Sequence, residues 1–175
     1  MKRLIGLLYV FLFVFSLTTA TASASNITDR LNVSNESEQP VKEMQEVYDF
    51  LKRCGTYFLA TADGNQPRVR PFGTAVIFEN RIYIQTGKKK RVSGQMKANP
   101  KIEICALDLA AGKWLRIEAT VVEDERREAK QYVLDQYPEL KSMYSADDDN
   151  THVLYLKNVR ATFSSFAGED RTVTF

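Results

Sequence analysis

Four cations in a row, Lys88, Lys89, Lys90 and Arg91, follow an apolar strand-like run ending Gln85-Thr86-Gly87 and precede the start of an amphipathic helix. Successive amides at a strand-to-helix turn, beside Lys and Arg side chains, offer a phosphate charge-assisted hydrogen bonds and the favourable end of a helix dipole. The competing reading is a solvated cationic turn, because no glycine-rich phosphate loop of the G-x-x-x-x-G-K-[ST] type is present. Composition alone does not separate the two. The remaining residues of chemical interest are scattered. His152, the sole histidine, stands at a strand start and reads as structural or surface. Arg81, Tyr83 and Arg116 suit polar contacts to a substrate and equally suit the outward face of a strand. Asp147 to Asn150 is an acidic turn without the spaced ligands and closing glutamate of a calcium loop, so no metal site is expected. Cys54 lies at a helix end and Cys105 inside a strand, which leaves their pairing open; cysteine is often simply buried.

The elements that must position these residues follow from periodicity. Val41, Met44, Val47, Tyr48 and Leu51 recur at three- and four-residue steps, giving a helix with one buried stripe that Gly55 terminates. Thr56 to Thr61 is a short β-rich run, Asp63-Gly64-Asn65 a turn, and Arg68 to Phe78 the return strand of a hairpin. Pro71 and Gly73 interrupt that strand, which places it at an edge or at a bulge where something docks. Arg81 to Thr86, Lys101 to Leu107, Lys113 to Glu123 and His152 to Phe166 are further strands. Short helices are expected over Val92 to Ala98, stopped by Asn99-Pro100, and over Arg126 to Tyr137, stopped by Pro138. A further helical turn holds Leu140, Met143 and Tyr144. Six or so strands with few helices make a mainly β fold, a small antiparallel barrel.

The barrel begins near Pro40. Met1 to Ala24 opens with Lys2 and Arg3, continues through an apolar core from Leu4 to Leu17 and closes on Ala22-Ser23-Ala24, the pattern of a secretory signal. Its apolar run is shorter than the ~20 residues of a spanning helix, so membrane attachment is expected only if the segment stays uncleaved. Residues 25–39 form a polar tether without an apolar period, carrying three glycosylation sequons at Asn26, Asn32 and Asn35. A secreted or extracytoplasmic protein follows. With 24 Lys and Arg against 22 Asp and Glu, the 175-residue chain has a net charge of +2 with both signs interspersed, which does not suggest a global nucleic-acid binder; its basic character is local.

The order of the pieces, "RVRPFGTAVIFENRIYIQTGKKKRVSGQMKANPKIEICA", then "GKWLRIEATVVED" and "VLYLKNVRATFSSF", resembles the pyridoxamine 5′-phosphate oxidase-like family of FMN-binding split β-barrels. The resemblance spans Val41 to Phe175 and rests on the combination of an arginine-led strand, a strand ending in Thr, a basic turn, a short helix ending Asn-Pro, and an aromatic opening a later strand. It implies a six-stranded antiparallel split barrel with a few short peripheral helices, an α+β roll. By position, Arg70 matches the strand arginine that reaches the flavin phosphate, and Pro71, Phe72 and Gly73 lie where the chain lines the isoalloxazine ring. Gln85 and Thr86 match the strand end that meets the cofactor. Arg91, with Lys89 and Lys90, matches the phosphate-binding turn, while Val92 stands where many relatives carry a second cation. Trp114 matches a position near the flavin that the partner subunit often contributes. The family implies a homodimer with FMN at its interface and a small-molecule substrate or electron acceptor. Flavins bring their own redox chemistry, so the lack of a catalytic triad excludes nothing, and no catalytic residue is singled out. Oxidation of pyridoxamine 5′-phosphate itself is not expected, because members with that activity carry a C-terminal arginine- and tryptophan-bearing segment and this sequence ends at Phe175. The readings that follow are an exported FMN-dependent oxidoreductase or, alternatively, a non-catalytic protein binding a flavin, haem or deazaflavin.

Overall fold

The structure, a computed structural model, describes residues 41–168 and 170–175. The expected secretory segment, tether and sequons lie outside the described residues. Helix α1 covers residues 41–54. Most of its expected stripe is present, with Met44, Val47 and Leu51 buried, Tyr48 half-buried and Phe50 joining them, whereas Val41 is exposed. Gly55 ends it at φ +69°, a conformation that costs glycine little, and its N–H donates to Leu51 O at 3.0 Å.

Eight strands follow, all paired antiparallel: β1 (Tyr57–Asp63), β2 (Gln66–Phe72), β3 (Val76–Phe78), β4 (Arg81–Gly87), β5 (Lys101–Asp108), β6 (Lys113–Glu123), β7 (Thr151–Ser165) and β8 (Arg171–Thr174). Helix α2 (Arg91–Ala98) lies between β4 and β5; α3 (Arg127–Gln136) and a 3₁₀ turn (Pro138–Ser142) lie between β6 and β7. The sequence led us to expect six strands, and the difference has two sources. What reads as one strand from Arg68 to Phe78 is two, broken at Gly73–Ala75: β2 pairs with β1, whereas β3 pairs with β4. Pro71 stays inside β2 because β2 is a terminal strand, where a missing donor costs no ladder bond. The second source is β8, four residues of which only Val173 is buried, too short and too exposed to signal in sequence.

The strand order β2-β1-β5-β6-β7-β4-β3 puts β2 and β3 at opposite ends of the sheet. Seven strands laid flat would separate those ends by about 29 Å, at ~4.8 Å per step. Yet Phe72 and Val76 are joined by three residues, which reach at most about 14 Å. The sheet therefore curls until its ends meet, but β2 and β3 do not pair with each other and the barrel stays open along this seam. Inside it pack Leu59, Ile82, Ile84, Ile104, Leu115, Ile117 and Ala161, all fully buried, with α1 in the same cluster.

Strand β7 changes partner along its length. Its first part, Thr151 to Tyr155, pairs with β4. Its last part, Arg160 to Phe163, pairs with β8, and Val159 exchanges two backbone hydrogen bonds with Phe175. Between them Asn158 sits at φ +54°, opposite a register shift in β6 between Glu118 and Thr120. Cys54 and Cys105 are both free thiols, half-buried and exposed respectively. Among the described residues there is no cluster of metal-ligating side chains, and no helix is long and apolar enough to cross a membrane.

Candidate functional site

At the open seam a cleft of about 260 Å³ is lined from one side by Pro71, Phe72, Gly73 and Thr74 and from the other by Gln85, Thr86 and Lys90. A third wall comes from Tyr137, Leu140, Met143 and Tyr144, with Glu139 at the same wall. Each wall is held in place by hydrogen bonds that are buried or part-buried. Tyr57, fully buried, stacks on Phe72 with ring centroids 6.0 Å apart, and its hydroxyl donates to Thr74 O at 2.7 Å. Burial pushes the Tyr57 phenol far above its ordinary pKa, so it serves as a neutral donor. The Thr74 hydroxyl accepts from Gln85 N–H at 2.9 Å, which ties the crossing segment to β4 across the seam. Gln85 Nε2 donates to Thr86 O at 2.8 Å. Tyr137 is pinned through its hydroxyl, which donates to Ala75 O at 3.0 Å and accepts from Ala75 N–H at 2.9 Å.

The basic turn connects β4 to α2 at the edge of this cleft. Asn150, one residue before β7, takes two of its amides: Lys88 N–H donates to Asn150 O at 2.7 Å and Lys89 N–H to Asn150 Oδ1 at 3.1 Å. Lys90 N–H donates to Gly87 O at 3.0 Å. Those three amides are thus occupied, and the turn's capacity for an anion rests mainly on side chains. Lys88 is neutralised: its ammonium lies 3.0 Å from Glu123 and also pairs with Glu125. Burial works against the Lys88 charge, but the Glu125 and Glu123 carboxylates outweigh it and raise its pKa, while the Lys88 ammonium pulls Glu125 down to about 2. Lys89, Lys90 and Arg91 are exposed and form no ion pair among the described residues. Lys90 Nζ stands 6.0 Å from the centre of the Tyr144 ring. Gly87 permits this closeness, since a Cβ there would meet Tyr144 Oη at 3.0 Å and Asn150 Oδ1 at 3.2 Å.

Of the residues singled out in the sequence, the structure gathers Pro71, Phe72, Gly73, Gln85, Thr86 and Lys90 on one cleft, with Lys89 and Arg91 on the adjoining turn. Arg70 does not line the cleft. Its Nη1 donates to Leu59 O at 3.0 Å, to Thr61 Oγ1 at 2.8 Å and to Arg68 O at 3.1 Å, and its Nη2 to Gln95 Oε1 at 2.7 Å. Burial, followed by the neighbouring Arg68, lowers its pKa. Gln95 and Arg91 share a face of α2 at i and i+4, so Arg70 is anchored on the face that carries Arg91. Trp114 is also outside the cleft and packs on Phe166 with ring centroids 5.3 Å apart. The third wall was not read as part of a site from sequence; the apolar spacing of Leu140, Met143 and Tyr144 after Pro138 was its only signal.

Beneath the turn, His152 is fully buried opposite Thr86. Its Nδ1 shares a proton with Ser93 Oγ of α2 at 2.8 Å. Its Nε2 lies 3.2 Å from Glu123 Oε1, yet neither atom has a hydrogen-bond partner, although Lys88 pairs ionically with that same oxygen. Burial lowers the imidazole pKa, against an opposing pull from Glu123. The enclosed His152 links β7 to α2 through Ser93 and does not line the cleft.

A curled, open antiparallel sheet with a lined cleft at its seam and a basic turn beside it defines a split barrel. A family model described as pyridoxamine 5′-phosphate oxidase matches residues 44–165, and the chain belongs to that family. It is 40% identical to a NimC/NimA family protein from Clostridium acetobutylicum, over 81% of this chain and 98% of that one, with a TM-score of 0.76. The same fold occurs at 14% identity in a pyridoxamine 5′-phosphate oxidase-related, FMN-binding protein from Nostoc punctiforme, covering 77% of this chain and 94% of that one at a TM-score of 0.55. It recurs at 14% identity in a haem-binding protein from Mycobacterium smegmatis, covering 71% and 57% at a TM-score of 0.57. No curated protein matches the sequence.

Proposed function

We propose that this chain binds FMN in the seam cleft and works as an exported FMN-dependent oxidoreductase on a small electron acceptor. The observation that carries the reading is the meeting of Phe72, Gly73, Gln85 and Thr86 on one cleft beside Lys89, Lys90 and Arg91, three cations without ion pairs among the described residues. The lining suits the group: aromatic and aliphatic walls for a flat ring system, amide and hydroxyl groups for its polar edge, and cations for a phosphate. When bound, FMN supplies the electron transfer. The chain's own residues would bind and orient it: Phe72 and Tyr144 offer aromatic faces to the ring, Gln85 and Thr86 polar groups to its edge, and Lys90 with Arg91 would hold the phosphate, with Lys89 near.

A homodimer belongs to the same proposal. The cleft of about 260 Å³ is at the small end of the ~300–1,000 Å³ usual for cofactor-sized ligands, which favours a site that a second chain completes. Trp114, outside the cleft of its own chain, is the residue we assign to the partner's flavin. Against haem stands the enclosure of His152, whose ring nitrogens face Ser93 and Glu123.

The test is the visible spectrum of the purified protein with added FMN, then with reductant and an acceptor screen. A bound flavin that cycles between reduced and oxidised forms with sustained acceptor turnover is expected. A bound flavin that never turns over would assign the protein to flavin carriage, and a protein that ignores FMN would sink the cofactor assignment.

A further inference from the structure

A second and larger cavity, about 570 Å³, lies where β7 changes partner, and its lining shares no residue with the seam cleft. Between Tyr155, the last residue paired with β4, and Val159, bonded to Phe175, residues Leu156, Lys157 and Asn158 have no strand partner on that side of β7 among the described residues. The slot left there is walled by apolar side chains: Met44 and Leu156 are buried, and Val41 and Phe175 complete the wall. Its polar lining is one-sided. Arg81 and Lys157 line it with the amides of Asn80 and Asn158, and no acidic residue does among the described residues. Arg81 Cζ stands over the Tyr155 ring, 4.4 Å from its centre, a cation–π contact that holds the guanidinium without neutralising it. The nearest acid in sequence, Glu79, is engaged bidentately by Arg126 at 3.1 and 2.7 Å. Neither Arg81 nor Lys157 forms a salt bridge among the described residues.

An apolar slot of ligand size with two cations and two amide donors at its polar side is complementary to an anion carrying an apolar body. We propose that this slot is a second binding site, for a small carboxylate with an aliphatic or aromatic body: the carboxylate would meet Arg81 and Lys157, and the body would cover Met44, Leu156 and Phe175. It is independent of the flavin reading, because no residue is shared with the seam cleft.

Calorimetric titration of the full chain with octanoate, and separately with 1-octanol, tests this. One octanoate per chain is expected, bound at least fivefold more tightly than octanol and undiminished by saturating FMN. The double variant Arg81→Gln with Lys157→Gln should lose at least fivefold in octanoate affinity while keeping its octanol affinity. The charge-conserving pair Arg81→Lys with Lys157→Arg should retain most of it, which separates lost charge from a damaged fold. Absence of binding, equal affinity for octanol, an unaffected double variant, or displacement by FMN would each overturn the proposal.

Discussion

Replacing Lys90 and Arg91 together by Ala should weaken FMN and leave riboflavin untouched. Both side chains are exposed and free of ion pairs among the described residues, and Lys90 makes no side-chain cap to α2, so the folded chain loses little. A stability change within about 0.5 kcal/mol is expected for such surface sites. Each charge-assisted hydrogen bond to a phosphate contributes ~1.5–3 kcal/mol, and exposure favours the lower end. At about 1.4 kcal/mol per decade, one lost contact is roughly tenfold in Kd. Two approach a hundredfold, less whatever the neighbours share. Lys88 is the internal control. Its charge is already engaged by Glu123 and Glu125, so Lys88→Ala should lower stability more than it lowers FMN affinity. Flavin fluorescence titrations at two salt concentrations read all of this, with the wild-type preference for FMN over riboflavin shrinking as salt rises. Equal weakening of FMN and riboflavin in the double variant, or no weakening of either, would refute the phosphate assignment.

Two further outcomes concern the framework. His152 is held below its ordinary pKa by burial, so below about pH 6.5 the unfolded chain takes up a proton that the folded chain resists; stability is full above that pH and falls as pH drops. The urea midpoint should therefore decline from pH 7 to pH 5, and His152→Gln should flatten that decline; an unchanged slope would clear His152 of the effect. Arg70→Ala should cost about 1–3 kcal/mol of stability, because it strips partners from the buried Thr61 and Gln95. A variant as stable as the parent, measured by chemical denaturation, would show those bonds to be idle.

Local signals were legible where each segment could be judged alone. The stripe of α1 and the full extent of β6, Lys113–Glu123, follow from periodicity, because each buries one face regardless of partner. The division of β2 from β3 was not legible. Pro71 and Gly73 read as flaws in one strand, and only the choice of distant partners, β1 and β4, reveals two. The site divides in the same way. Gln85, Thr86 and Lys90 are adjacent in sequence and meet in the cleft, whereas Tyr137 and Tyr144 arrive from about fifty residues on, where apolar spacing says only that something is buried. Likewise four consecutive cations look equivalent until folding brings Glu123 beside Lys88.

The three-residue crossing from Phe72 to Val76 has a consequence for how the protein is assembled. The β1–β2 and β3–β4 hairpins are local, and the short crossing keeps them adjacent in every state of the chain, whereas β5, β6 and β7 must join them through long-range pairing. That long-range pairing sets how the two edges of the seam face each other, and the residues that line the cleft lie on those edges: Phe72, Gly73 and Thr74 on one lip, Gln85 and Thr86 on the other. A molecule bound there spans both lips, so its affinity adds to the folded state by RT ln(1 + [L]/Kd). Occupancy and seam closure become one equilibrium, and the empty protein should open first along this line.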